Sequence, residues 1–225
     1  MTIIAMRRFV SNAEFDAALV ERLERALSGP AAAGTAVMLS GGRTPLPAYR
    51  EMAVRKPLPA QGLHVFFSDD RYVPSTSESS NYFQTRLLID ALALPAAGVL
   101  RVKTELPLEQ AAADYEQRLA AMLNSGVRIT LGLLGLGADG HTASLFNAGN
   151  LEQARGKLAI AVQRPDGLQG ISVTPELLSQ VAEPLFLVTG ADKHAIVEEF
   201  LKSDSHLTAR RAVAGCAKAE IWISA

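Results

Sequence analysis

The chain has 225 residues with 22 Lys and Arg against 23 Asp and Glu, a formal net charge of −1, and 48% hydrophobic residues. This balance gives no basic surplus for nucleic-acid binding, so an anionic ligand must be held by local positive charge. The apolar content supports a sizeable core and argues against disorder, and the single cysteine, Cys216, excludes an intrachain disulfide and a cysteine-based zinc site.

No targeting or membrane segment is expected. Residues 1–10 lack the long apolar core of a signal peptide, and no apolar run is long enough to span a bilayer. One cysteine fits a reducing compartment. We therefore expect a single domain over residues 1–225 that is cytoplasmic, does not bind membranes, and is a monomer or a small homo-oligomer.

The first elements are predicted to be a helix and a strand. Ser11-Asn12-Ala13-Glu14 is typical of a capping box, and apolar residues follow at the helical spacing 15, 19, 23 and 27 until Gly29-Pro30. Thr35–Leu39 is a short apolar strand.

A glycine-rich turn follows this strand. It contains Gly41, Gly42 and Arg43, with Thr44 where an N-cap is expected and Pro45 in the first turn of a helix. The exposed backbone N–H groups of such a helix start favour phosphate. A tight turn with a solvated arginine is the alternative interpretation.

An acidic run follows the next strand, which is predicted at Leu63–Phe67. Asp69 and Asp70 come directly after Ser68 and are followed by Arg71, in a segment expected to be a loop. The acids either act in acid/base chemistry or orient the arginine. A solvent-facing charged turn is the alternative. Helices are expected at 82–92 and 107–123, with a strand at 99–102 between them.

Residues 129–146 are the most informative stretch. The segment begins as a buried strand and becomes a loop that holds Asp139 and His141, with Thr142 expected to cap a short helix. Three glycines interrupt the loop: Gly135, Gly137 and Gly140. The spacing is not that of a Walker phosphate loop. A glycine-rich turn with a surface histidine is the alternative.

The last third continues the alternation of strands and helices. Strands are expected at 158–162, 171–173, 184–188 and 221–223. Thr174-Pro175-Glu176 predicts a helix start, and 191–201 is expected to be a helix with Lys193 in its first turn. A cation there is electrostatically unfavourable unless an anion binds nearby, although a lone surface lysine is the default interpretation.

The alternation predicts an α/β fold with a doubly wound, mainly parallel sheet flanked by helices. Ligands in such sheets bind beyond the carboxyl ends of the strands. Four loops follow predicted strands, at 41–44, 69–71, 135–141 and 189–193. We expect them to form one pocket that combines positive charge with an acid/base set: Arg43, Arg71, Lys193, Asp69, Asp70, Asp139 and His141.

These motifs resemble the 6-phosphogluconolactonase family, in the superfamily that also holds glucosamine-6-phosphate isomerase/deaminase. The matching segments are 40–45, 68–71, Ser80-Asn81 and 133–146, and the last of these is long and specific. The resemblance implies a Rossmann-like fold and hydrolysis of 6-phosphogluconolactone to 6-phosphogluconate in the oxidative pentose phosphate pathway. It implies no metal and no organic cofactor.

For this chemistry, the attack of water on an activated ester, we hypothesise a division of roles. His141 is expected to deprotonate the attacking water, and Asp139 to hold its imidazole. Substrate and phosphate are expected to contact the remaining site residues: Gly41, Gly42, Arg43, Thr44, Asp69, Asp70, Arg71, Asn81, Gly137 and Lys193.

One position departs from the family pattern. The family usually carries an arginine where this chain has Gly170, and Arg164 is a nearby candidate to replace it. Two rival functions remain at this point. The first is an isomerase/deaminase that uses Asp69 or Asp70 as base, against which Arg71 and the segment 142–146 count. The second is a non-catalytic sugar-phosphate sensor.

Overall fold

The chain alternates strands and helices around one large parallel sheet, beside which lies a second, smaller sheet. The computed structural model describes residues 2–29 and 34–224. Its strands are β1 (Ile3–Phe9), β2 (Thr35–Leu39), β3 (His64–Phe67), β4 (Asp69–Arg71), β5 (Val99–Leu100), β6 (Arg128–Gly135), β7 (Ala159–Gln163), β8 (Gln169–Val173), β9 (Pro184–Thr189) and β10 (Lys218–Ser224). Its helices are α1 (Asn12–Ser28), α2 (Leu46–Arg55), α3 (Asn81–Leu92), α4 (Leu108–Asn124), α5 (Ala148–Gln153), α6 (Pro175–Leu178), α7 (His194–Leu201) and α8 (Thr208–Ala212).

The large sheet has seven strands in the order β1-β10-β9-β6-β2-β3-β5, and every pairing in it is parallel. From β2 the chain runs outward through β3 to β5, then returns to β6 and runs outward on the other side through β9 to β10. The strand order therefore reverses between β2 and β6. This arrangement confirms the predicted doubly wound, mainly parallel α/β fold.

Helices cover both faces of this sheet, and alternate strand residues supply two cores. In β2, Val37 and Leu39 pack in the core under α1, α2 and α3, whereas Ala36 and Met38 pack in the core that includes α4 and α7. A strand buried on both faces carries a continuous apolar run. For this reason β2 and β9 could be recognised as strands in the sequence.

The smaller sheet was not expected. It joins β4, β8 and β7 in antiparallel pairs, with Asp69 opposite Ser172 and Arg71 opposite Gly170. The prediction of a loop at 69–71 is therefore wrong, because the backbone of this polar segment pairs with a strand about a hundred residues further along. No local pattern reports such a pairing.

Several predicted helix ends are confirmed. Ser11 Oγ accepts the Glu14 N–H at 3.2 Å, and Thr174 Oγ1 accepts the Leu177 N–H at 3.3 Å. Helix α1 ends before Gly29, whereas Pro30 of the predicted stop lies outside the described residues. The helix expected at 191–201 divides into a 3-10 turn, Ala191–Lys193, and α7.

Two predicted caps are wrong because each threonine bonds to the end of a strand instead of to the first turn of a following helix. Thr44 Oγ1 lies 3.1 Å from Thr189 Oγ1, and α2 starts without a side-chain cap. Thr142 Oγ1 donates to the Gly135 carbonyl at 2.9 Å, and the next helix, α5, begins later with Asn147 as its N-cap. Elements β1, α5 and α8 were not predicted.

The carboxyl ends of β9, β6, β2 and β3 are neighbours in the sheet. The four segments that follow these strands, at 41–44, 69–71, 135–141 and 189–193, therefore meet along one edge, as predicted. The reversal between β2 and β6 lies at the centre of this edge, which is the usual ligand site of such sheets. Within the part of the chain that the structure describes, no helix is long and apolar enough to cross a membrane.

Candidate active site

The loop after β6 is a tight turn built to hold His141. The Gly137 N–H donates to the His141 carbonyl at 2.9 Å, and the Gly140 N–H donates to the Gly137 carbonyl at 3.0 Å. A Cβ on Gly137 would overlap the His141 ring and the Asp139 carboxylate. Glycine at 137 is thus required by the close approach of these two side chains.

Asp139 and His141 form a hydrogen-bonded pair. The His141 Nδ1 contacts the Asp139 Oδ1, and the same oxygen accepts the His141 backbone N–H at 3.3 Å. Partial burial opposes ionisation of Asp139, but the hydrogen bond and charge of His141 outweigh it, so the Asp139 pKa lies below its ordinary value. An ionised carboxylate only accepts hydrogen bonds. The proton of the neutral imidazole is therefore on Nδ1, and Nε2 is free to act as a base.

The surroundings of the pair are partly open. The His141 side chain is 27% exposed and the Asp139 side chain 53%. The Phe146 ring packs against the imidazole with the two ring centroids 4.5 Å apart. The imidazole is therefore fixed on one side by a carboxylate and on another by an aromatic ring, while it remains accessible to a ligand.

The turn after β2 lies beside α3. A Cβ on Gly41 would overlap the amide of Asn81, and the Gly42 N–H donates to the Gln84 Oε1 at 3.0 Å. These contacts fix the turn against α3. The backbone N–H groups of Arg43 and Thr44, just before α2, have no acceptor among the hydrogen bonds of residues 2–29 and 34–224.

The two adjacent acids have different environments. Asp69 lines the same cavity as His141. Its Oδ2 accepts the Ser144 hydroxyl at 2.6 Å, and its Oδ1 accepts the Asn81 Nδ2 at 3.1 Å. Asn81 in turn accepts the Arg71 Nη1 at 2.5 Å through its Oδ1. Asp69, Asn81 and Arg71 therefore form one connected wall.

Asp70, which was expected to contact substrate, is instead buried and points away from this wall. It is 1% exposed and lines neither of the cavities described below. Its Oδ1 accepts the backbone N–H groups of Asn81 at 2.6 Å and Arg71 at 2.9 Å, and its Oδ2 accepts the Ser80 hydroxyl at 3.1 Å. Desolvation by burial raises the pKa of Asp70 to about 6, against the opposing hydrogen bonds at the start of α3. Asp70 anchors α3 to β4.

Two adjoining cavities of roughly 190 Å³ each follow from this arrangement. The His141 cavity is lined by Ser40, Gly41, Gly42, Asp69, Arg71, Asn81, Gly135, Leu136, Gly137, His141, Ala143 and Arg164. The Lys193 cavity is lined by Ser40, Gly41, Gly42, Arg43, Thr44, Pro45, Leu134, Gly135, Leu136, Leu187, Val188, Thr189 and Lys193. They share the glycine-rich ends of β2 and β6.

The predicted site residues are thus brought to one edge of the sheet but divided between two cavities. Arg43, Thr44 and Lys193 lie on one side, whereas Arg71 and His141 lie on the other. Leu136, Ala143 and Thr189 also line the cavities without having been predicted, because small or apolar side chains carry no chemical signal. No group of three or more His, Cys, Asp or Glu side chains suited to a metal ion occurs within residues 2–29 and 34–224.

Known proteins are similar to this chain over most of its length, including the site. A family model described as glucosamine-6-phosphate isomerases/6-phosphogluconolactonase matches residues 11–222, which include all four segments at the edge of the sheet. The 6-phosphogluconolactonase of Thermotoga maritima is 35% identical over 170 residues, 74% of each chain. That of Homo sapiens is 34% identical over 209 residues, 86% of this chain and 80% of its own. The crystal structure of the Thermotoga maritima enzyme matches with a TM-score of 0.81 at 28% identity, covering 100% of both chains.

Proposed function

Since the chain belongs to the glucosamine-6-phosphate isomerase/6-phosphogluconolactonase family, we propose that it hydrolyses 6-phospho-D-glucono-1,5-lactone to 6-phospho-D-gluconate in the oxidative pentose phosphate pathway. It is an enzyme, a carboxylic ester hydrolase. The observation that carries the mechanism is the bond of Asp139 to His141, whose imidazole lines a cavity that adjoins a second, positively charged cavity.

His141 is assigned as the general base. Its Nε2 takes a proton from water, and the water oxygen forms a bond to the lactone carbonyl carbon. The tetrahedral intermediate then breaks the bond between this carbon and the ring oxygen. The ring oxygen receives the proton from the imidazolium and becomes the sugar hydroxyl, which leaves a carboxylic acid. Asp139 keeps the imidazole oriented and stabilises its positive charge while the proton is held.

The intermediate carries a negative charge on the former carbonyl oxygen, which requires hydrogen-bond donors fixed in advance. We assign this role to backbone N–H groups of the glycine-rich strand ends that the two cavities share, around Gly41 and Leu136. Arg71, held by Asn81, supplies a positive charge in the same cavity.

The phosphate is assigned to the Lys193 cavity. Arg43 and Lys193 supply two positive charges there, and the backbone N–H groups of Arg43 and Thr44, just before α2, have no acceptor among residues 2–29 and 34–224. The start of a helix attracts anions through these N–H groups and through its dipole. With the phosphate in this cavity, the lactone ring extends into the His141 cavity.

We further assign the activity to a single cytoplasmic domain that works without metal or organic cofactor and does not bind nucleic acid or membranes, as a monomer or small homo-oligomer. The proposed chemistry uses only the side chains and backbone groups named above. We therefore expect the lactonase rate to be unchanged after dialysis against EDTA, measured against an undialysed sample. A rate that falls with EDTA and returns with added Mg²⁺ or Zn²⁺ would contradict metal independence.

The test of the function is an assay with purified protein and freshly generated 6-phosphogluconolactone. The spontaneous rate must be subtracted, because this lactone also hydrolyses unaided. We expect clear acceleration, with no ammonia released from glucosamine 6-phosphate. Ammonia release without lactone hydrolysis would favour the deaminase, and binding of 6-phosphogluconate without turnover would favour a sensor.

A further inference from the structure

Arg164 is a buried cation of the His141 cavity to which the proposed function gives no role. It follows β7, and its side chain is only 10% exposed although it lines the cavity. Burial of an arginine is costly unless its charge and donors find partners. A buried arginine in the wall of a ligand cavity must therefore have acceptors for its N–H groups.

The guanidinium is held rigidly from one side. Its Nε and Nη2 donate to the Asp166 carboxylate, the latter at 3.1 Å, and its Nη1 donates to the Ser144 Oγ at 2.7 Å. The Phe146 ring, which also packs on His141, lies 5.3 Å from the guanidinium carbon. An arginine has five N–H donors. These bonds occupy three of them and leave one N–H on each terminal nitrogen.

The ion pair with Asp69 does not occupy either of these two remaining N–H donors. The Arg164 Nη1 lies 3.7 Å from the Asp69 Oδ2, which is beyond hydrogen-bond distance. The same Asp69 oxygen already accepts the Ser144 hydroxyl at 2.6 Å. The guanidinium thus lies next to a carboxylate while it retains donors for a further acceptor.

Gly170 makes room for this arrangement. It lies in the middle strand of the small sheet, opposite Arg71 on one side and Val162 on the other. A Cβ at this position would lie 3.3 Å from the Arg164 Cδ and 3.0 Å from the Asp70 carbonyl oxygen. Any side chain at 170 would therefore compete with the arginine stem for the same space.

We propose that Arg164 binds an anionic oxygen of the substrate, on a path into the His141 cavity that Gly170 keeps open. This inference rests on the proposed function. Because the phosphate is assigned to the Lys193 cavity, this oxygen is the oxyanion formed at the lactone carbonyl in the His141 cavity. An oxyanion is an acceptor that suits a guanidinium.

The first experiment replaces Arg164 with Gln and compares it with Arg155→Gln, which removes the same charge from an exposed ion pair on the surface. Kinetics with 6-phosphogluconolactone are measured for variants whose melting temperatures show that they are folded. We expect Arg164→Gln to lower kcat/KM by about ten- to hundredfold, the usual cost of losing a charged hydrogen bond. The control is expected to match the wild type. Wild-type kcat and KM in folded Arg164→Gln would overturn the proposal.

The kinetic constants test which oxygen Arg164 binds. We expect kcat to fall for both the phosphorylated and the unphosphorylated lactone while KM changes little, as for a contact with the oxyanion. A rise in KM that occurs only with the phosphorylated lactone would place the phosphate at Arg164 and overturn the proposal. A decrease that only parallels a loss of thermal stability, and that Arg164→Lys does not relieve, would assign a purely structural role and reject the proposal.

A second variant leaves the arginine in place. Gly170→Ala introduces the crowding Cβ, and we expect it to displace Arg164 and change the same kinetic constant in the same direction, by less. Binding of 6-phosphogluconate, measured by calorimetry, separates failure of this inference from failure of the proposed function. A protein that is inactive on the lactone but binds 6-phosphogluconate more weakly after Arg164→Gln would contradict only the function. Equal binding of 6-phosphogluconate, whose carboxylate replaces the lactone carbonyl, by the wild type and by Arg164→Gln would contradict the role of Arg164.

Discussion

The two cavities of the site are built in opposite ways. The polar side chains of the His141 cavity are held by hydrogen bonds: the imidazole to Asp139, which lies behind it, and Asp69 to Asn81 and through it to Arg71. In the Lys193 cavity, no carboxylate of residues 2–29 and 34–224 lies within ion-pair distance of Arg43 or Lys193.

This difference corresponds to two tasks. A proton transfer requires a base within hydrogen-bond distance of its proton, so its side chains must be fixed before the substrate arrives. Phosphate binding requires charge that is not already neutralised, and a flexible lysine can supply it. The contrast therefore predicts that substitutions in the first cavity change the chemical step and that those in the second change binding.

The largest expected effect is that of His141→Ala. Loss of the base should lower kcat for 6-phosphogluconolactone roughly 10²–10⁴-fold, with little change in KM. His64→Ala is the matched control, because His64 lies at the end of β3 away from the site, and its ring bonds only to the Gly62 carbonyl among residues 2–29 and 34–224. A folded His141→Ala variant with near wild-type kcat would remove His141 from the role of base.

A smaller effect is expected for Lys193→Gln, which removes one charge from the second cavity. KM for the phosphorylated lactone should rise by about ten- to hundredfold while kcat is retained. With unphosphorylated gluconolactone the variant should equal the wild type. An unchanged KM for the phosphorylated substrate would reject the phosphate assignment.

Asp139→Asn should lower kcat by roughly tenfold or more, because the amide cannot stabilise the protonated imidazole as a carboxylate does. The effect should be smaller than that of His141→Ala, since half of the Asp139 side chain is in solvent. Kinetics of both variants under one set of conditions test this order. An Asp139→Asn variant as active as the wild type would show that the observed contact has no catalytic role.

Asp70→Asn should change stability and leave kcat and KM within about twofold, since Asp70 lines neither cavity. The folded protein binds the Asp70 proton more tightly than the unfolded chain, because burial raises its pKa from an ordinary 3.8 to about 6. The stability contributed by Asp70 is therefore present at low pH and is lost as the pH rises from about 4 to about 6.

Urea unfolding of wild type and Asp70→Asn between pH 4.5 and pH 7 measures this linkage. The wild-type free energy of unfolding should decrease relative to that of the variant as the pH rises, with about 3 kcal/mol as the order of magnitude for the full shift. A difference that stays constant, or that grows with pH, would contradict the raised pKa.

The features that the sequence predicted correctly depend on residues close to one another in the chain. The glycine-rich loops after β2 and β6, and the caps Ser11 and Thr174, depend on residues within a few positions of one another. Because the carboxyl ends of parallel strands share an edge, the meeting of the four loops followed from the strand assignments alone.

The features missed depend on contacts between distant segments. Thr44 looks like a helix cap, but its hydroxyl contacts that of Thr189 at the end of β9. Asp69 and Asp70 are identical and adjacent, yet pairing of β4 with β8 directs one to the cavity and the other to α3. The division of the site into two cavities likewise depends on side-chain placement that spacing in the sequence does not encode.

The most direct test of the divided site is the ratio of kcat/KM for 6-phosphogluconolactone to that for unphosphorylated gluconolactone, measured in the wild type, His141→Ala and Lys193→Gln. We predict that His141→Ala lowers both values and leaves the ratio unchanged. Lys193→Gln should lower only the value for the phosphorylated lactone, so that the ratio falls by about ten- to hundredfold. A Lys193→Gln variant that loses activity equally on both lactones, or a His141→Ala variant that retains it on both, would contradict the account.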